Sequence, residues 1–513
     1  MKTQLFIYTI ALFSLNLSFS QSIIEKEDIN PTEHALHGFS TALSNGWALA
    51  SSHQKDIEGK QSMGSVTFYK QSDGRWLNYQ EIIAPNAENF ANFGMSLAID
   101  GTTAVISAIG DHEKGVFSGA AYIYHFNYSS NLWEFDTKLT ASDGATGHRF
   151  GQTVAINEGL ILVGTHLADG NASKSGAAYV FEKINDTWTE TQKIWAKNGK
   201  TNDYFAHKIH ILDANTLAIG AYNADGQEER SGVVYVFTKD TQWAENSVLS
   251  ASDGKSSDLF GFSLTSGASE GSLIDDILFI GAPGTNNDNG QTGSVFLFHK
   301  SENTWSENYE LIENTASHND HFGTSISYNK KGNLFVSASR AKKNELKGSG
   351  KVYIYENISL DDSSIKSGTE FKFADSATYD HFGTSISSDY ENLIVASPYA
   401  TEDDKTNSGN VHFFRYTSVI EGVDVEQLYS VKQNFPNPFT KSTVIEYTIK
   451  KTGRVKINLY NTVGLLVNEI VNEVKDFGTY TVTFKGAGLR PGIYFYKFEI
   501  NGYSSNKRMI FVK

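Results

Sequence analysis

Apolar and polar positions alternate in short runs along most of the chain, and Gly, Asn and Asp punctuate the runs. Alternation with a period of two predicts half-buried strands, and the residue types agree, because Val, Ile, Tyr and Phe suit a pleated surface. Residues 96–139 hold four such runs in succession, at 96–100, 104–109, 120–125 and 132–139. The inner runs are apolar on both alternating faces, which predicts strands covered on both sides.

One phrase organises the runs and is clearest at residues 260–298. It opens with Phe260-Gly261, centres on Ile280-Gly281-Ala282-Pro283 and closes with Gly293 followed by alternating small and aromatic residues. The phrase occurs seven times between His37 and Phe414. Its openings are Gly38, Gly94, Gly151, Ala206, Gly261, Gly323 and Gly383, at steps of 56, 57, 55, 55, 62 and 60 residues. The fourth run usually carries a Trp: Trp76, Trp133, Trp188, Trp243 and Trp305. A fixed period of this length marks an array of supersecondary units, and four-stranded sheets repeated seven times close into a β-propeller. The opening glycines are expected to permit close backbone approach near the crowded axis. The seventh copy lacks a Trp run, so its fourth strand is expected from residues 22–25 at the N-terminus, or else from residues 417–423.

Phe-Gly, then Gly-Ala-Pro, then Gly-x-Val-Tyr-Val-Phe resembles the FG-GAP repeat, the unit of the integrin α-chain propeller. The form with a Trp strand and the link Leu139–Gly144 looks like its bacterial variant. In integrin-like copies the turn between first and second strands can hold calcium through an Asp-x-Asp-x-Asp-Gly loop. The corresponding turns here, such as Asp100-Gly101-Thr102 and Asp389-Tyr390-Glu391-Asn392, lack enough carboxylates at that spacing. Calcium by the integrin mode is therefore not expected, and no cofactor is implied.

After residues 418–434, read as a linker, the period vanishes. Runs at 442–449, 454–461, 465–474, 478–485, 492–500 and 507–512 predict a small, Ig-like β-sandwich. This segment resembles the type A sorting domain of the type IX secretion system of Bacteroidetes. The resemblance rests on Pro436, Asn437, Pro438 and Phe439, on Gly464, on Pro491, Gly492 and Tyr494, and on the end from Lys507 to Lys513. It implies passage to the periplasm, then outer-membrane export by the secretion machinery and an anchored or released fate. Residues 1–20 read as the signal peptide that starts this route, with cleavage between Ser20 and Gln21. The chain is thus divided into a signal peptide at 1–20, an all-β seven-bladed propeller at 21–417, the linker, and the sorting sandwich at 435–513.

Composition narrows the chemistry. The 513 residues include no cysteine, which excludes disulfides and thiolate zinc sites. Residues 427–513 carry a net charge of +8, which leaves −24 on residues 21–426. So acidic a propeller repels nucleic acid and anionic membranes. No apolar window after the N-terminus is long enough for a transmembrane helix.

The loops between second and third strands share one place in each repeat, hence one face of the ring. They supply a candidate binding face: Asp169, Asn171, Asp225, Glu228, Asp288, Asp403 and Asp404. Three His-x-x-His pairs, His34/His37, His207/His210 and His318/His321, lie where strands begin, so i and i+3 face opposite sides and structural roles are expected. Hydrolase, zinc-protease and phosphate-loop signatures are absent. The expectation is a non-enzymatic binding or adhesion module for an extracellular protein or glycan. A structural envelope component and a glycan-active enzyme are the alternatives. Close carboxylates at the centre would favour the enzyme, and an exposed aromatic cluster on one face the binding module.

Overall fold

The computed structural model describes residues 20–21, 32–268 except 73 and 86, 276–287, 290–415 except 303, 330, 344, 357, 359, 361–367 and 372–376, and 429–512 except 450–452, 462–465 and 501–502. Every regular element among them is a strand. Two compact units are present, and Gln21–Arg415 forms the larger.

That larger unit is made of repeated four-stranded sheets, seven among the described residues, six of them with their strands side by side in chain order. The second sheet is representative: Phe93–Asp100, Thr103–Ala108, Ala120–Asn127 and Leu132–Leu139, paired antiparallel throughout. Repeated sheets of this kind are the construction of a β-propeller. In the seventh sheet, Ile386–Ser388, Asn392–Ser397 and Asn410–Arg415 are joined by Ser20–Gln21. The N-terminus thus supplies a strand there, across the expected cleavage junction, whereas residues 22–25 and 417–423 lie outside the described residues.

The three parts of the repeated phrase meet at the seam between consecutive sheets. The residue before each opening glycine donates its backbone N–H to a carbonyl of the preceding sheet's closing segment. The pairs are Phe93 to Met63 (3.0 Å), Phe150 to Ser118 (2.8 Å), Phe205 to Ser175 (3.0 Å), Phe260 to Ser231 (3.0 Å), Phe322 to Thr292 (2.8 Å) and Phe382 to Ser349 (3.0 Å). The seventh is His37 to Ser408, at 2.9 Å, and it joins the first copy to the last. The sheets therefore form a closed cycle. Trp76 of the first sheet, stacked on Phe413 of the seventh with ring centroids 5.0 Å apart, buries the same junction.

Close approach explains the glycines. Gly261 has φ +91°, and a Cβ there would lie 2.9 Å from the carbonyl oxygen of Val233 and 3.3 Å from the Cα of Gly220, in the preceding sheet. The fourth copy has Ala206 at this place, with φ 64°. Its methyl is accommodated because Gly164 faces it, where a Cβ would come within 3.1 Å of the Ala206 Cβ.

Hydroxyls on the innermost strands add a second belt. Ser40 Oγ accepts from Leu97 N (3.2 Å), Ser96 Oγ from Val154 N (3.0 Å), Thr265 Oγ1 from Tyr328 N (3.2 Å) and Ser325 Oγ from Ile386 N (3.2 Å). Ser385 Oγ closes the belt by accepting from Thr41 N at 3.0 Å.

The smaller unit pairs Tyr429–Val431, Ser442–Ile449 and Gly478–Lys485 in one sheet. Leu466–Lys475, Gly453–Tyr460, Gly492–Ile500 and Tyr503–Phe511 make the other. One apolar core, including Ile445, Ile457, Tyr496 and Met509, draws on both. The expected linker, 418–434, needs correction at its end. Tyr429–Val431 is a paired strand, and Asn434 is buried because it accepts and donates bonds that hold the next turn.

Candidate binding face and sorting tail

The motifs singled out at the two ends of the smaller unit are one structure. Asn437 spans the last strand with its amide: Nδ2 donates to Arg508 O (2.9 Å), and Oδ1 accepts from Ile510 N (2.8 Å). Two residues on, Phe439 N donates to Ile510 O (3.0 Å) and Phe439 O accepts from Val512 N (2.9 Å). The Phe439 ring is buried against Phe511, with centroids 5.1 Å apart. Pro436 and Pro438 follow cis peptide bonds. The Pro436 carbonyl accepts from Thr443 Oγ1 at 2.8 Å, and Thr443 Oγ1 accepts from Asn434 Nδ2 at 2.9 Å. Asn434 N in turn donates to Tyr496 Oη (3.0 Å), whose hydroxyl donates to Lys432 O (2.8 Å). Gly492 and Lys507 sit in the final hairpin, opposite Phe511 and Tyr496, while exposed Pro491 precedes it and Tyr494 Oη ties back to Arg490 O at 2.8 Å. Gly464 and Lys513 lie outside the described residues.

The acidic loop residues of the larger unit are mostly committed to shaping their own loops. Asp169 Oδ1 accepts from Lys174 N (2.8 Å), which holds its carboxyl below the usual range. Asn171 Nδ2 reaches Gly199 O at 3.2 Å. Asp225 binds Lys200 Nζ at 2.6 Å and Arg230 N at 2.9 Å; the lysine bond is the larger cause of its depressed pKa. Glu228 Oε2 accepts from Ser256 N at 3.0 Å. Asp403 and Asp404, with φ 50° and 62°, form the tip of a tight turn. Asp288 lies outside the described residues. Among the described residues, no group of three His, Asp or Glu side chains is placed to hold a metal ion.

A set of carboxylates missed in the sequence lies deeper. Asp203, Asp258, Asp320 and Asp380 each precede an opening by the same interval and are buried. Each accepts a backbone N–H three residues back, from Lys200 (2.7 Å), Lys255 (2.6 Å), Ser317 (2.7 Å) and Ala377 (2.5 Å). Burial pushes all four carboxyls up.

The side chains that do converge are aromatic. His207 and Phe262 follow the openings at Ala206 and Gly261, Tyr204 precedes one, and His166 and Tyr222 follow second strands. In an antiparallel sheet, first strands begin where second strands end, so all five stand on the face of the acidic loops. Their rings form a continuous, half-buried chain across three sheets. Centroid separations are 5.1 Å for His166–Tyr204, 5.6 Å for Tyr204–Tyr222, 4.5 Å for His207–Tyr222 and 5.1 Å for His207–Phe262. Desolvation lowers the pKa of His166 to about 4 and of His207 to about 3, so both rings are neutral at physiological pH. The signal for this cluster was available in register: the residue after each opening and the residue after each second strand occupy equivalent places.

His34 is exposed and His37 buried between Ser52 Oγ (2.8 Å) and Tyr69 Oη (2.9 Å). His210 bonds Ser266 Oγ at 2.8 Å, and His318 Nδ1 accepts from Gln291 N at 3.1 Å. On the innermost strands the acidic residues are Asp100 and Asp213, and each accepts a backbone N–H, from Glu158 (2.9 Å) and Asn215 (2.7 Å).

Residues 76–124, 133–181, 188–237, 243–298 and 305–355 match the FG-GAP repeat, and residues 433–513 match the secretion system C-terminal sorting domain. The chain is an FG-GAP repeat protein with a type IX secretion sorting tail. Each matched repeat runs from an outer strand to the third strand of the next sheet, so the family unit straddles a seam. The first and last of the seven phrases fall outside these matches, yet both form sheets. The sorting tail directs export to the cell surface or extracellular space. Among the described residues, no helix is long and apolar enough to cross a membrane.

No curated protein matches the chain. Several solved structures align with it at low identity. PorZ, an essential bacterial surface component of the type-IX secretion system of Porphyromonas gingivalis, aligns at 12% identity and TM-score 0.40, over 93% of this chain and 59% of PorZ. A chain of the mitotic checkpoint complex aligns at 10% identity and TM-score 0.43, over 81% of this chain and all of its own length (100%). The GH74 xyloglucanase of Xanthomonas campestris aligns at 10% identity and TM-score 0.40, over 89% of this chain and 63% of the enzyme. Nothing about activity follows from likeness at this level.

Proposed function

We propose that the protein is a non-enzymatic binding or adhesion module: a seven-bladed propeller carried to the cell exterior by an Ig-like sorting sandwich. Its ligand is an extracellular glycan or protein. The observation that carries this reading is the half-buried ring chain from His166 to Phe262 on one face. Flat, amphipathic rings provide contact area with little conformational entropy to lose. The innermost strands favour it over an enzyme, because Asp100 and Asp213 are each engaged by backbone. The test is a screen of the purified secreted chain against glycans and surface proteins, with calcium and with chelator. Saturable binding to one class is expected, and no binding under either condition would sink the reading.

A further inference from the structure

The larger unit is strongly acidic, yet its aromatic face carries unpaired positive charge. Arg149 precedes the third opening, Arg230 lies between second and third strands of the fourth sheet, and Arg340 follows the second strand of the sixth. By the same antiparallel argument, all three stand at the end of the sheets that bears the ring chain. All three are exposed, and none is ion-paired among the described residues. Several lysines of the unit behave differently: Lys138 binds Asp111 (2.8 Å), Lys193 binds Asp143 (2.6 Å) and Lys239 binds Glu182 (2.8 Å).

Arg149 lines an open depression with His53, Asn92, Met95 and Phe117. Arg230 Nε donates to Asn223 Oδ1, on the residue after Tyr222, at 2.9 Å, and its outer nitrogens make no hydrogen bond among the described residues. Arg340 is close enough to His321 and His381 to help lower both imidazole pKa values, after desolvation. Of the neighbouring carboxylates, Asp225 is already paired with Lys200.

We infer that this face takes an acidic polysaccharide, with the rings His166, Tyr204, Tyr222 and Phe262 against sugar faces and Arg149, Arg230 and Arg340 on carboxylate or sulfate groups. The inference rests on the binding reading above and names its ligand class. A guanidinium matches both anions through paired N–H donors, and a ring platform beside it selects a pyranose over a bare ion.

The experiment measures affinity of the full secreted chain for polygalacturonate (carboxylate), chondroitin sulfate (sulfate and carboxylate) and dextran (neutral). Wild type is compared with R149Q, R230Q, R340Q and the triple variant, all checked for unchanged thermal midpoints. Saturable binding to at least one acidic polymer is expected, weakening with salt, with roughly tenfold loss per arginine removed and no binding of dextran. The polymer that binds identifies the anion. Equal affinity for dextran, or a triple variant that binds acidic polymer as wild type does, would overturn the inference while leaving the binding reading intact. Absence of binding to every polymer would also overturn it, and the protein arm of the wider screen then decides that reading separately.

Discussion

In the ring of sheets, the bond from Phe150 N to Ser118 O is one of seven equivalents. In the sorting tail, the hold of Asn437 on Arg508 and Ile510 has no repeated equivalent, and Gln433 Nε2 adds only one bond, to the same Arg508 carbonyl at 2.7 Å. The ring spreads its cohesion over many copies, so a variant at one seam weakens one part in seven. Cohesion in the tail is concentrated, because the first motif and the last strand are joined by a few side chains, Gln433, Asn437 and Phe439. Repetition buffers the ring, whereas the tail depends on individual contacts.

The largest expected effect tests that concentration. Phe439→Ala removes a buried ring between Phe511 and Phe484 and should destabilise the tail by about 3–5 kcal/mol. Calorimetry should show the tail transition lost or lowered with the ring transition in place, and the variant should stay in the periplasm. Normal surface display of F439A would break the claim that the clasp matters for export.

Acid should separate the units next. All 14 histidines lie before residue 427. Burial lowers the pKa of His37 and His53 to about 4 in the folded ring, against 6.5 unfolded. A base with a depressed folded pKa leaves stability intact above pH 6.5, because both states are then neutral. Stability falls as the pH drops from 6.5 to about 4, where the unfolded chain binds protons that the fold excludes. Full protonation costs about 3 kcal/mol for each such residue. The ring's midpoint should drop across this window while the tail, which has no histidine, responds little. Parallel melting of both units would contradict the assignment.

The smallest effect sharpens the idea of buffering. Ser385→Ala removes the hydroxyl that accepts from Thr41 N at the closing seam and should cost about 1 kcal/mol. Ser96→Ala, at an interior seam, should cost the same within error. A much larger penalty at Ser385 would mean that the closing seam is special.

Much of this architecture is legible in the sequence, because each repeat states its strands in residue types that suit only strands. The second sheet's runs at 104–109 and 132–139 correspond to strands at Thr103–Ala108 and Leu132–Leu139. What is not legible is which parts of the phrase touch. The compensation between Ala206 and Gly164 spans two copies and appears only when sheets are neighbours. The acidic loops misled for a related reason: composition shows that Asp225 and Glu228 are polar, not that Lys200 and Ser256 already occupy them. The ring chain was hidden because His166, Tyr222 and Phe262 sit in separate copies, and their equivalence by register becomes contact only when sheets are neighbours.

The closing bond of the ring has a consequence for timing. Thr41 and Ser385 are 344 residues apart, and His37 waits for Ser408. On a chain that emerges N-terminus first, the closing seam therefore stays open until the seventh copy has emerged. Long-range pairing of this sort is slow, because loop entropy is lost before the contact forms. The export address is the last segment to follow. A truncated or stalled product thus lacks both the lock and the address, and the order of the chain alone keeps incomplete rings from carrying the address to the outer membrane.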